Sequence, residues 1–183
     1  MTRLIFVGRG FSRDINPAPH GALAPEAPQM NRIIRRLHQA GVYFVTTDTW
    51  QRRAIFTKPE TAQILLAQLL SCRDRGFYRL HAFAIMPNHL HILLTPGQNT
   101  TVEKALQMVK GGSARRIGLE KSRKLPVWQA GFHDRWVRDA AEYRNSKTYI
   151  EQNPVAARLV ERPEDYSLSS ASQQFVLDTS PFD

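Results

Sequence analysis

The chain has 183 residues, 42% of them apolar, which suits one folded domain with a real core. Lysine and arginine number 25 against 16 acidic residues, giving a formal charge of +9 and a pI near 10.2, so a polyanionic partner is expected, DNA or RNA alike. The single Cys72 excludes an internal disulfide framework and a multi-cysteine zinc cluster, and no run approaches the roughly 20 apolar residues of a membrane span.

In chain order, residues 4–7 form too short an apolar run for a secretory leader, so a cytoplasmic protein is expected. Residues 1–30 carry Pro17, Pro19, Pro25 and Pro28 among Ala, Gly and Asn and read as a flexible N-terminal arm. Met30, followed by a basic segment, also permits a later start. Residues 42–47 (VYFVTT) are β-branched and aromatic and predict a first strand. Thr57-Lys58-Pro59-Glu60 has the pattern of a capping box, opening a helix through Leu65, Leu66, Leu69 and Leu70 to a stop at Gly76. A second strand is expected over 77–85, turned tightly by Pro87 and Asn88 into a third. Thr100 and Glu103 form another capping pattern ahead of a helix with Val102, Ala105, Leu106 and Val109 on one stripe. A basic stretch containing glycines follows, then a short aromatic segment from Val127 to Val137 expected as the fourth strand. Asp139 and Glu142 start a last helix, which Pro154 is expected to end near Asn153. The order is β-α-β-β-α-β plus a terminal helix: an α+β, ferredoxin-like sheet with one helix added. A domain over 31–171 followed by a tail over 172–183 is expected.

The segment Met86-Pro87-Asn88-His89-Leu90-His91 carries the chemistry. Side chains alternate along a strand, so His89 and His91 share one face while Leu90, Ile92 and Leu94 share the other. Two neighbouring imidazoles above a sheet make half of a metal site. Both helices between the strands should cover the leucine face, leaving the histidine face for the added helix. On that helix Tyr149 and Asn153 are four residues apart and lie on one side, with Gln152 as a fallback neighbour. An amide as third ligand beside a phenol suits attack on a phosphodiester, with a Lewis-acid cation and the tyrosine oxygen as nucleophile.

These residues resemble the REP-associated tyrosine transposases, within the single-tyrosine HUH transposases, named for His-hydrophobic-His. The likeness runs through Phe44-Val45-Thr46, residues 84–94, Trp128 to Phe132 with Asp134-Arg135, residues 149–155, and residues 159–166 with Ser169-Ser170. It implies an enzyme that cleaves single-stranded DNA beside palindromic repeats folded as hairpins, leaving a 5′-phosphotyrosine and a free 3′-OH. It implies Tyr149 as nucleophile, His89, His91 and Asn153 as metal ligands, a divalent Mg²⁺ or Mn²⁺ ion, and no nucleotide cofactor. Many relatives have histidine where Glu151 stands, a departure off the expected metal face. Whether the site completes within a monomer or by exchange of the tyrosine helix in a homodimer depends on the linker before Asp139, whose shortness favours the monomer.

Basic residues form two candidate DNA contacts. Lys110, Arg115, Arg116, Lys121, Arg123 and Lys124 would grip hairpin phosphates, and Arg32, Arg35 and Arg36 the adjacent strand. Trp50, Trp128 and Trp136 could stack bases but equally pack. The competing readings are a hairpin-binding protein without useful catalysis and a ferredoxin-like RNA-binding protein. The second leaves the histidine pair unexplained.

Overall fold

The computed structural model describes residues 41–121 and 126–182. Four strands, β1 (Val42–Asp48), β2 (Tyr78–Met86), β3 (His89–Pro96) and β4 (His133–Val137), form one antiparallel sheet in the order β2-β3-β1-β4. Among the described residues three α-helices accompany them: α1 (Pro59–Asp74), α2 (Val102–Lys121) and α3 (Ala140–Ala156). This is the expected ferredoxin-like arrangement with a helix added. The histidine strand β3 is internal, paired to β2 on one side and β1 on the other, so its backbone is held along both edges.

The sheet has two unlike faces. On one, Leu90, Ile92 and Leu94 pack with Leu65 and Leu69 of α1 and Leu106 and Val109 of α2. On the other, Val42, Ala82, Ala84 and Leu93 pack with Tyr143 and Ile150 of α3. A one-residue slip of β3 would turn Leu90, Ile92 and Leu94 out of the main core, at about 1.5–3 kcal/mol each. The register that places both histidines on the α3 face is therefore set by the leucines behind them.

Local signals differ from expectation in five places. The helix α1 begins at Pro59 without a side-chain cap, because Thr57 donates backwards to the Ala54 carbonyl within a 3-10 turn. Thr101, one residue later than expected, caps α2 through the Lys104 amide. The helix α2 runs unbroken through Gly111 and Gly112 to Lys121, where a glycine-punctuated basic stretch was expected. The reason is packing: a Cβ on Gly112 would overlap the Gln68 side chain of α1, which is tied to the Met108 carbonyl. The strand β4 begins only at His133, and α3 passes Pro154 to Ala156 instead of ending near Asn153. A Schellman-type closure ends α3 there, with Arg158 left-handed (φ 58°), its amide on the Val155 carbonyl and the Leu159 amide on that of Pro154.

As expected, Asp139 caps α3, accepting from the Glu142 amide at 2.8 Å, and Gly76 (φ 74°) turns the chain out of α1. The segment after residue 171 packs on the domain: Phe175 and Leu177 lie against the core, and Asp178 pairs with Arg73 at 2.7 Å. Among the described residues no helix is long and apolar enough to cross a membrane. The expected arm, with Arg32, Arg35 and Arg36, and the basic Arg123 and Lys124 lie outside the described residues.

Candidate active site

His89 and His91 project from β3 onto the α3 face, with their Nε2 atoms 3.1 Å apart. Each ring is fixed from behind through Nδ1. His89 Nδ1 meets Asn88 Oδ1 at 2.7 Å, and His91 Nδ1 meets the Thr46 hydroxyl at 2.8 Å across the β1–β3 register. An amide oxygen only accepts, so His89 carries its proton on Nδ1 and turns a lone pair on Nε2 towards His91. His91 is 5% exposed and stacks on Phe44, its ring centroid 5.6 Å away.

The helix α3 brings Tyr149 over this pair within the same chain. Its ring meets His91 edge-on at 5.7 Å and Phe44 at 5.8 Å, while 48% of the residue remains open to solvent. Buried Ile150 and Tyr143 anchor α3 to the sheet, which points the neighbouring Tyr149 position towards the histidines. One turn on stands half-buried Asn153, whose amide weakly opposes the lowering of the His89 pKa. Gln152 is exposed. Glu151 turns away to accept from the Ser170 hydroxyl at 3.0 Å, so it ties α3 to the C-terminal segment.

Electrostatics favour neutral imidazoles. Burial, then His89 and Arg52, push the His91 pKa down to about 3. Burial and Arg52 also lower that of His89, against smaller opposing effects of Asp48 and Asn153. Neutral imidazoles with convergent Nε2 atoms and occupied outer nitrogens are what a cation requires of histidine ligands, once the proton between the two Nε2 atoms is displaced. Among the described residues no three His, Cys, Asp or Glu side chains converge as a metal cluster. The side chains that could hold a cation here are the two imidazoles, with the Asn153 amide one helical turn beyond Tyr149.

The other candidates sit elsewhere. Lys110, Arg115 and Arg116 belong to α2, on the opposite face of the sheet from the histidines. Arg115 and Arg116 are exposed, whereas the Lys110 ammonium donates to the carbonyls of Gln129 and Gly131 and fastens the segment before β4. Lys121 closes the helix. His81 is buried between Thr95 and the Asp178 carbonyl, and His133 is exposed on β4. Tyr143 is buried and packs on His81 and Phe182. Trp128 is buried, donating to Ser113.

Several neighbours of the site had no role assigned from the sequence. Thr46 and Asp48 reach it only through the pairing of β1 with β3, where they stand opposite His91 and His89. Arg135 reaches it from β4, 5.9 Å from the Phe44 centroid and donating to Ser146, three residues before Tyr149. Asn88, next to His89 in the chain, could have been suspected as its orienting partner.

A ferredoxin-like sheet bearing a His-hydrophobic-His pair under a helical tyrosine defines a class of single-tyrosine DNA-processing folds. The family model for IS200-like transposases matches residues 39–153, and the chain belongs to that family. It is 24% identical over 155 residues to the REP-associated tyrosine transposase of Escherichia coli (strain K12), an alignment covering 84% of this chain and 90% of the relative. A solved structure described as a REP-associated tyrosine transposase bound to a REP hairpin has the same fold, with a TM-score of 0.61 at 22% identity, covering 77% of this chain and 86% of that one.

Proposed function

We propose that this chain is a metal-dependent single-stranded DNA endonuclease and strand transferase acting beside hairpin-forming repeats, with Tyr149 as nucleophile and His89, His91 and Asn153 as metal ligands. The observation that carries this reading is the meeting of Tyr149 with the His89–His91 pair, with Asn153 one helical turn further along the same helix. The IS200-like family and the hairpin-bound relative support it.

Tyr149 oxygen attacks the phosphorus, forming a phosphotyrosine at the 5′ end of the downstream fragment. The P–O3′ bond breaks, and the departing oxygen takes up a proton as the 3′-OH. The phenol proton leaves to solvent, to which Tyr149 is half open. When bound, Mg²⁺ or Mn²⁺ supplies Lewis-acid polarisation of the phosphate. Thr46 and Asn88 keep the imidazole lone pairs turned to the metal position, and Phe44 fixes the spacing between His91 and Tyr149. The phosphotyrosine conserves the bond energy, so rejoining to another 3′-OH needs no nucleotide cofactor. The proposed enzyme acts as a monomer, in a cytoplasmic, nucleoid-associated location suited to its substrate.

The test incubates the protein and Mn²⁺ with single-stranded oligonucleotides bearing a short hairpin with randomised flanks. A denaturing gel should show a slowly migrating adduct that is lost in Tyr149→Phe and in His89→Ala/His91→Ala. An adduct persisting in Tyr149→Phe overturns the assignment. Tight hairpin binding without any adduct favours an idle or domesticated binder.

A further inference from the structure

Immediately after β1 the chain makes a turn that ordinary side chains avoid: Gln51 (φ 53°) and Arg52 (φ 52°) are both left-handed. Glycine would relieve either position, so the Arg52 side chain is carried at a conformational cost. The surrounding bonds hold the turn in place. The Thr49 amide donates to the Asn88 carbonyl at 3.0 Å, the Trp50 amide to that of Val127 at 2.9 Å, and the Phe56 amide to that of Pro87 at 3.0 Å. The turn is thus tied to the Pro87-Asn88 corner from which His89 emerges.

Two adjacent arginines here have different fates. The Arg53 guanidinium is used up by the backbone, donating to the carbonyls of Trp50 at 3.2 Å and Pro126 at 2.6 Å. The Arg52 side chain stays 62% exposed, 3.5 Å from Asp48, which stands opposite His89 in the sheet. An exposed pair of that length returns less than the turn costs. The Arg52 charge nonetheless reaches both His89 and His91. The fold therefore spends strain to hold a solvent-open guanidinium beside the histidine pair.

We propose that Arg52 is a phosphate-binding residue, its fork gripping the non-bridging oxygens of the DNA phosphate seated at His89 and His91, with Asp48 holding the guanidinium in place until DNA arrives. This rests on the site reading above and adds a group to it. A guanidinium offers two parallel donors to a phosphate where an ammonium offers a point charge, so lysine should replace it only in part.

The experiment measures affinity of full-length Tyr149→Phe protein, which forms no adduct, for a hairpin oligonucleotide from the randomised pool. Each flanking linkage is replaced in turn by a neutral methylphosphonate. Arg52→Gly is compared with Arg52→Lys and with Arg158→Gly, which removes an equally left-handed arginine at the end of α3. Arg52→Gly should melt no lower than its parent yet bind the all-phosphodiester strand about tenfold more weakly. That loss should shrink to within twofold when one linkage, the one cut by the Tyr149 protein, is neutral. Arg52→Lys should fall between, and Arg158→Gly should match its parent. A loss that persists at every neutral linkage, or no loss at all, overturns the Arg52 assignment while leaving Tyr149 untouched. Absence of an adduct from the Tyr149 protein defeats the nucleophile reading alone, since the methylphosphonate scan still locates or refutes the Arg52 contact. Failure to bind any hairpin defeats both.

Discussion

Replacing Thr46 by valine keeps the shape and strand propensity of the position and deletes one oxygen. That oxygen lies 2.8 Å from Nδ1 of His91, a residue only 5% exposed. Leaving a buried imidazole nitrogen without a partner costs about 1–3 kcal/mol. If that free energy now orients the ring and fixes its tautomer, its loss should weaken cation binding by roughly 10–100-fold, the range seen when partners of metal-bound histidines are removed. The assay is adduct formation against Mn²⁺ concentration, with calorimetric titration of Mn²⁺ alongside. The half-saturating concentration should rise by that factor, while the rate at saturating Mn²⁺ stays within a few-fold of the parent. A destabilised protein with unchanged Mn²⁺ dependence would refute the reasoning and reduce Thr46 to a packing residue.

Other predictions follow from the same geometry. Tyr149→Phe should leave unfolding free energy within about 0.5 kcal/mol of the parent, because the ring contacts survive, and chemical denaturation measures this. Without metal, stability should decline on acidification from about pH 6.5 towards 3. His91 binds its proton in the unfolded chain first, so the unfolded state gains protons over that window, and His91 contributes a slope of about 1.4 kcal/mol per pH unit. His91→Asn should lose that one-proton share of the slope; an unchanged slope would show that His91 is not held neutral. Lys110→Met should destabilise the fold by about 1–2 kcal/mol through loss of the clamp on Gln129 and Gly131. If that clamp is its main role, the salt dependence of hairpin binding will be unaltered, whereas a slope reduced by about one would mark Lys110 as a phosphate contact.

The alternation of β3 made the two faces of the sheet legible in the sequence, because a period of two assigns His89 and Leu90 to opposite sides whatever else the chain does. The four-residue spacing of Tyr149 and Asn153 placed them together for the same kind of reason. What stayed hidden depends on contacts distant in sequence. The continuous α2 required knowing that Gln68 of α1 presses where a Cβ on Gly112 would stand. Pro154 looked like a terminator, since its local rule carries no information about the closure made by Arg158 and Leu159. Thr46, Asp48 and Arg135 join the site through strand register, and Arg52 through a left-handed turn that its residue type argues against. Charge counting gathered Lys110 with its neighbours, while the structure gives it a backbone clamp.

The central claim is that one particular phenol takes the DNA. Trypsin separates the two tyrosines of α3, with Tyr143 in peptide 139–144 and Tyr149 in peptide 148–158. Mass spectrometry of the nuclease-trimmed adduct should find the nucleotide phosphate on peptide 148–158, fragmenting to Tyr149. The same mass increment on peptide 139–144, or on any residue outside 148–158, would contradict the account.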